Sequence, residues 1–156
     1  MTTALPLNSA AFALFGEVLE APTEGRVYFE KALRTARPGA RPSLSIVRSA
    51  AAPTGSILAR QMERHEFSSQ SFIPMGPARF LVLVAPHAPQ GGPDMTKASA
   101  FVAGPGQGVT YGADVWHHGL TVLGQAASFG VFMWNDGTER DVEFLTLPEP
   151  FPVNVP

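Results

Sequence analysis

Apolar positions in this chain come in short bursts, many with alternate residues polar, and most bursts end at Pro, Gly, Asn or Asp. That pattern predicts strands between turns. The expected strands are Arg26–Leu33, Leu44–Arg48, Ile57–His65, Phe80–Ala85, Ser99–Ala103, Gly108–Tyr111, Val115–Val122, Phe129–Trp134 and Val142–Leu147. Phe80–Ala85 (FLVLVA) is apolar throughout, as in a strand buried on both faces. In Ile57–His65, alternation sets Leu58, Arg60, Met62 and Arg64 on one face and Ala59, Gln61, Glu63 and His65 on the other. Helical signals are few. Asn8 or Ser9 caps a helix expected to run through Phe15 and end at Gly16. One further helical turn is expected at Asp94–Lys97. So many strands predict an all-β sandwich or small barrel with one short N-terminal helix. The stretch 148–156 holds four prolines and predicts an extended tail lying across the barrel or a neighbouring subunit.

Length and composition narrow this further. The 156 residues suit one domain, 1–156, large enough for a real core. Fifteen Pro and fifteen Gly, spread along the chain, favour short strands over long helices. The net charge of -2, without a basic stripe, argues against a nucleic-acid partner. No apolar run has the length of a membrane span, and Met1–Ala13 lacks the basic region of a signal peptide, so the expected address is cytoplasmic. There is no cysteine, which removes disulfides, thiolate nucleophiles and thiolate metal ligands.

Candidate chemistry concentrates in Glu63-Arg64-His65-Glu66-Phe67-Ser68-Ser69-Gln70. Glu63 and His65 share a strand face, and a chain reversal over residues 66–69 returns Gln70 to the same pocket. Carboxylate, imidazole and carboxamide together suit acid–base work or a divalent metal. The same residues also read as polar groups at a strand end facing solvent. Val115-Trp116-His117-His118-Gly119 offers a second imidazole. Adjacent strand residues face opposite ways, so parity puts His117 inside and leaves His118 with Trp116. Arg64 and Arg48 are candidate clamps for a substrate carboxylate, or solvated strand arginines. His87 reads as a loop residue, Asp136-Gly137 as a turn, and Gly104–Gly108 as a turn rather than a phosphate loop.

The spacing of Glu63, His65, Gln70 and Gly76 resembles the first cupin motif, with Glu63 where cupins usually carry His and Gln70 where they usually carry Glu. His117 would supply the second-motif ligand. A closer resemblance is to the ureidoglycolate lyases. It runs through Ala11–Glu20, Met62–His65, Ser69–Met75, Phe80–Ala85, Gly106–Tyr111 and Val115–His118, collinear over most of the chain. It implies a cupin-like double-stranded β-helix or small antiparallel barrel, a homodimer, and a reaction splitting ureidoglycolate into glyoxylate and urea late in allantoin (purine) degradation. It also implies a divalent metal such as nickel, manganese or zinc, held by Glu63, His65, Gln70 and His117, which would also be the catalytic residues.

Several departures from the family pattern stand out. No clear Asn-Gly or Arg-x-His-Asp-Leu-Ala element appears around Glu24–Leu33; Thr110-Tyr111-Gly112-Ala113 replaces a polar run; Gly119 replaces Pro; and Met133-Trp134 replaces Asp-Arg. These changes predict a pocket lined by Tyr111, Met133 and Trp134 for a larger or less charged substrate. The expected activity is carbon–nitrogen bond cleavage of ureidoglycolate or a related ureido acid. The alternatives are a cupin-type isomerase or hydrolase acting on another small acid or sugar, and a non-catalytic small-molecule-binding cupin.

Overall fold

The computed structural model describes residues 2–53 and 55–156. Two sheets face each other. The larger contains β1 (Thr2–Thr3), β2 (Leu5–Pro6), β5 (Ile57–Arg64), β7 (Arg79–Ala85), β8 (Ser99–Ala103), β10 (Trp116–His117), β11 (Thr121–Leu123) and β13 (Glu143–Asn154). Its order is β1-β13-β5-β10-β7-β8-β2, with β11 also on β7. The smaller contains β3 (Gly16–Glu20), β4 (Arg41–Ser49), β6 (Gln70–Pro74), β9 (Gln107–Tyr111) and β12 (Ala127–Asn135), in the order β3-β9-β6-β12-β4. The helix α1 spans Ser9–Phe12, capped by Asn8, whose side chain accepts from the Ala11 N–H at 2.9 Å. Short 3₁₀ turns follow Asp94 and Thr138. This is the expected all-β, barrel-like fold with one short N-terminal helix.

Packing follows the pleat. Phe80, Val82 and Val84 point between the sheets, onto Phe12, Phe72, Val109 and Phe129. Leu81, Leu83 and Ala85 point the other way, into a second cluster with Met62, Trp116, Leu147 and Val153. The expected burial of β7 on both faces is thus borne out. Phe80 and Phe129 meet edge to face at 5.2 Å, and burying each ring contributes about 1.5–3 kcal/mol. At Gly16 a Cβ would stand 1.8 Å from the Thr110 carbonyl oxygen, so only glycine lets β3 lie against β9 there.

Some expectations are corrected. The helix stops at Phe12, and Gly16 opens a strand instead of only closing a helix. Residues 26–33 form no strand. They cross the outer face of the smaller sheet, where Val27, Phe29 and Leu33 flank a groove with Leu19, Ile73 and Phe132. Their apolar side chains pack on a sheet rather than pairing within one. Val115–Val122 is divided into β10 and β11 by the residues around Gly119. The proline-rich stretch is the second half of β13, pairing Phe151, Pro152 and Val153 with Ala59, Leu58 and Ile57. A register shift between Thr146 and Phe151 breaks the expected alternation of β5, so Ala59 and Met62 share the outer cluster. Among the described residues, no helix is long and apolar enough to cross a membrane.

Candidate active site and metal centre

Strand pairing brings the site together. His117 lies opposite Glu63 on one side and Val84 on the other. Directly paired residues share a face, so Glu63 and His117 point inward with Val84. Beyond β5 the chain turns, and Ser68 N–H donates to the His65 carbonyl at 3.3 Å. The chain re-enters as β6 with Gln70 opposite Tyr111 and Met133. Glu63, His65 and His117 each aim one ligating atom at a common point, all within 4.8 Å of one another. His65, Gln70 and His117 are buried, while the Glu63 side chain keeps 17% of its exposure.

The two imidazoles are held alike. His117 Nδ1 lies 2.9 Å from the Val115 carbonyl, and His65 Nδ1 lies 2.8 Å from the Asp141 carbonyl. A carbonyl only accepts, so both rings carry their proton on Nδ1 and turn Nε2 to the site. His117 Nε2 is 3.3 Å from Glu63 Oε1 and 3.1 Å from Gln70 Oε1. His65 Nε2 is buried without a hydrogen-bond partner. Lone pairs therefore face lone pairs. A divalent cation reconciles that arrangement, as does a proton on His117. The set of two imidazoles, one carboxylate and one carboxamide oxygen fits manganese, nickel or zinc. Carbonyl-fixed Nδ1 protons are the usual orientation of metal-binding histidines.

The electrostatics agree. Burial raises the Glu63 carboxyl, but the His117 hydrogen bond and the charges of His117, His65 and His118 outweigh it and hold the group below its ordinary range. Burial, then the charge of His117, lowers His65, against the pull of the Asp141 carbonyl, Glu63 and Gln70. Burial and the Glu63 charge raise the Tyr111 phenol, which stays protonated. Its ring stacks on His117 at 4.1 Å. Both titrations of the pair weaken the fold in acid. Unfolded His65 takes up its proton near pH ~6.5 before the folded form does, and unfolded Glu63 does so near pH ~4.3. Stability therefore falls as pH drops below about 6.5. Thermal melts of the metal-free protein between neutrality and pH ~5 should show a declining midpoint, with a flatter decline in His65→Asn.

Other predicted residues fall elsewhere. Met133 lies against Gln70, its sulfur 3.8 Å from the Gln70 side-chain nitrogen. Trp134 is on the opposite face of β12, against Phe132, so it does not line the cluster. Arg64 points outward and is consumed by Asp114 (2.5 Å), Glu143 (2.6 Å) and the Trp116 ring. Arg48 sits on β4 and bonds Ser128 at 3.2 Å. Neither arginine is brought to the cluster. His118 bonds the Gln61 carbonyl, and His87 lies in the loop after β7, bonded to Asp114. A cleft of about 520 Å³ beside α1, lined by Phe15, Glu17, Lys31, Arg34 and Val115, contains none of the four cluster residues. The Asp141 and Val115 carbonyls were not foreseeable from residue type, because backbone acceptors leave no such signal.

The Glu/His/Gln/His cluster faces inward in an all-β barrel, and the relatives of this chain make it an enzyme of the lyase class. The family model for ureidoglycolate lyase matches residues 1–154, and the chain belongs to that family. A ureidoglycolate lyase of Mesorhizobium japonicum is 39% identical over 137 residues, covering 81% of this chain and 82% of that one. One from Rhizobium etli is 37% identical over 162 residues, covering 97% and 94%. Among solved structures, a 3,4-ketoisomerase from Helicobacter canadensis superposes with a TM-score of 0.43 at 16% identity, over 65% of this chain and 66% of that one.

Proposed function

We propose that the protein cleaves ureidoglycolate to glyoxylate and urea, a late step of allantoin (purine) degradation, in the cytoplasm. The observation that carries the chemistry is the convergence of the Glu63 carboxylate on His117 Nε2 and the free His65 Nε2. Family membership carries the substrate and favours a lyase over an isomerase, a hydrolase or a binding module.

Ureidoglycolate is a carbinolamide, so its cleavage is a collapse. The hydroxyl loses its proton, the carbonyl forms, the carbon–nitrogen electrons leave on nitrogen, and that nitrogen gains a proton. Glu63, ionised at neutral pH and partly open to solvent, takes the hydroxyl proton. In the metal-free site Glu63 hands that proton to His117 Nε2, 3.3 Å away, and His117 passes it on to the departing nitrogen. Tyr111 donates a hydrogen bond without ionising. Gln70 orients the substrate from beside Met133, whose thioether supplies an apolar wall. In a metal-loaded form Glu63, His65 and His117, with the Gln70 oxygen, would instead hold a divalent ion. Such an ion would polarise the substrate oxygen as a Lewis acid.

The expected assembly is a homodimer. Register places Leu44 beside Phe132 and Ile46 and Ile73 beside Gly130 on the outer face of the smaller sheet. Leu44, Ile46 and Ile73 are exposed, an apolar patch of the kind that meets a partner.

The test pairs a glyoxylate-release assay with sedimentation of the same purified protein. Release of glyoxylate from ureidoglycolate, with or without added nickel, manganese or zinc, is the expected result. No release under any of these conditions would reject the activity, and a monomer at micromolar concentration would reject the assembly.

A further inference from the structure

Asp141 lies outside the four-residue cluster but reaches it through its backbone. Its carbonyl accepts the His65 Nδ1 proton at 2.8 Å, so the placing of that carbonyl sets the angle and tautomer of the His65 ring. Asp141 is itself pinned by its carboxylate. Oδ1 accepts from Asp136 N–H at 2.9 Å and Oδ2 from Gly137 N–H at 2.8 Å, closing the turn between β12 and β13. The remaining partner comes from far away in sequence. Arg37 Nη2 donates to Asp141 Oδ1 at 2.5 Å, and Arg37 Nη1 pairs with Asp136 Oδ2 at 3.0 Å.

One guanidinium thus holds both acids of the turn. The guanidinium carbon also lies 5.2 Å from the centre of the Phe67 ring, over its face. Phe67 belongs to the segment that links His65 to Gln70. Ala36 N–H donates to the Phe67 carbonyl at 2.7 Å, and Thr35 bridges Ser68. The segment around Arg37 therefore braces the His65–Gln70 reversal from one side and the Asp141 turn from the other.

We infer that Arg37 is a positioning residue for His65. It fixes the Asp141 carbonyl that keeps the His65 proton on Nδ1 and its Nε2 lone pair turned into the site. His117 has an independent anchor in Val115 and serves as the internal control. The value of a correctly turned His65 rests on the metal-site reading above, whereas the tautomer lock is a property of the metal-free protein.

The experiment compares wild type and Arg37→Gln, both labelled with ¹⁵N-histidine, and then titrates each with Mn²⁺ alone. In the metal-free wild type, His65 should show the Nδ1–H tautomer. In Arg37→Gln that signature should be lost from His65 and kept by His117. Mn²⁺ affinity should fall about 10–100-fold, the usual cost of removing an outer partner of a metal-binding histidine. If Arg37→Gln fails to fold, Asp141→Asn, which keeps side-chain size and the backbone carbonyl, takes its place with the same expectation. A folded variant with an unchanged His65 tautomer overturns the inference. A wild type that binds no Mn²⁺ counts against the metal reading alone, since the tautomer comparison still decides the lock.

Discussion

Glyoxylate release should fall at least about 100-fold in Glu63→Gln, the lower end of what a positioned acid–base group contributes. Glutamine keeps the size and one oxygen of the side chain, so contact with His117 survives while the proton acceptor is lost. The domain should remain folded, because Glu63 is partly exposed and lies outside both apolar clusters. The measurement is initial rate against ureidoglycolate concentration, with circular dichroism of the same sample. A loss in kcat at nearly constant KM identifies a group that acts in the transition state. Near-wild-type turnover would remove Glu63 from the mechanism.

The second large effect is on metal binding. His117 offers Nε2 between Glu63 and Gln70 with Nδ1 fixed on Val115. His117→Asn removes a ligand from the centre of the set and should weaken Mn²⁺ or Ni²⁺ binding by more than about 100-fold, beyond the cost of an outer-partner change. The neighbouring His118→Asn supplies the comparison. His118 bonds only the Gln61 carbonyl through its ring, so its loss should leave affinity within a few-fold of wild type. Calorimetric titration of the two variants separates them. Equal behaviour would mean that the cluster binds protons and substrate without a metal.

What the sequence made legible was what periodicity controls. The inward parity of His117, the shared face of Glu63 and His65, and the return of Gln70 after a turn all follow from alternation, and the structure joins these residues. β7 was readable for the same reason. Alternation misled where pairing was irregular or absent. The register shift opposite Ala59–Gln61 reassigned a face of β5, and the apolar residues of 26–33 lie on a sheet instead of pairing within one. Arg64 illustrates a different limit. Strand parity alone did not reveal that Asp114 and Glu143 would claim its guanidinium. The family pattern pairs Trp134 with Met133 in place of Asp-Arg, although neighbours on a strand part company. Asp136-Gly137 was correctly read as a turn, but its link to His65 runs through a backbone oxygen and an arginine 104 residues from Asp141.

That span bears on how the chain acquires its active form. The contacts that define the site join residues 47 apart (Gln70 with His117), 76 apart (His65 with Asp141) and 104 apart (Arg37 with Asp141). Contacts of such separation close late, because the entropy of a long loop must be met before the contact stabilises anything. A nascent chain that has emerged only through β12 lacks both β13 and the acceptor for His65. Catalytic competence is therefore gained late, when the turn leading from β12 into β13 docks.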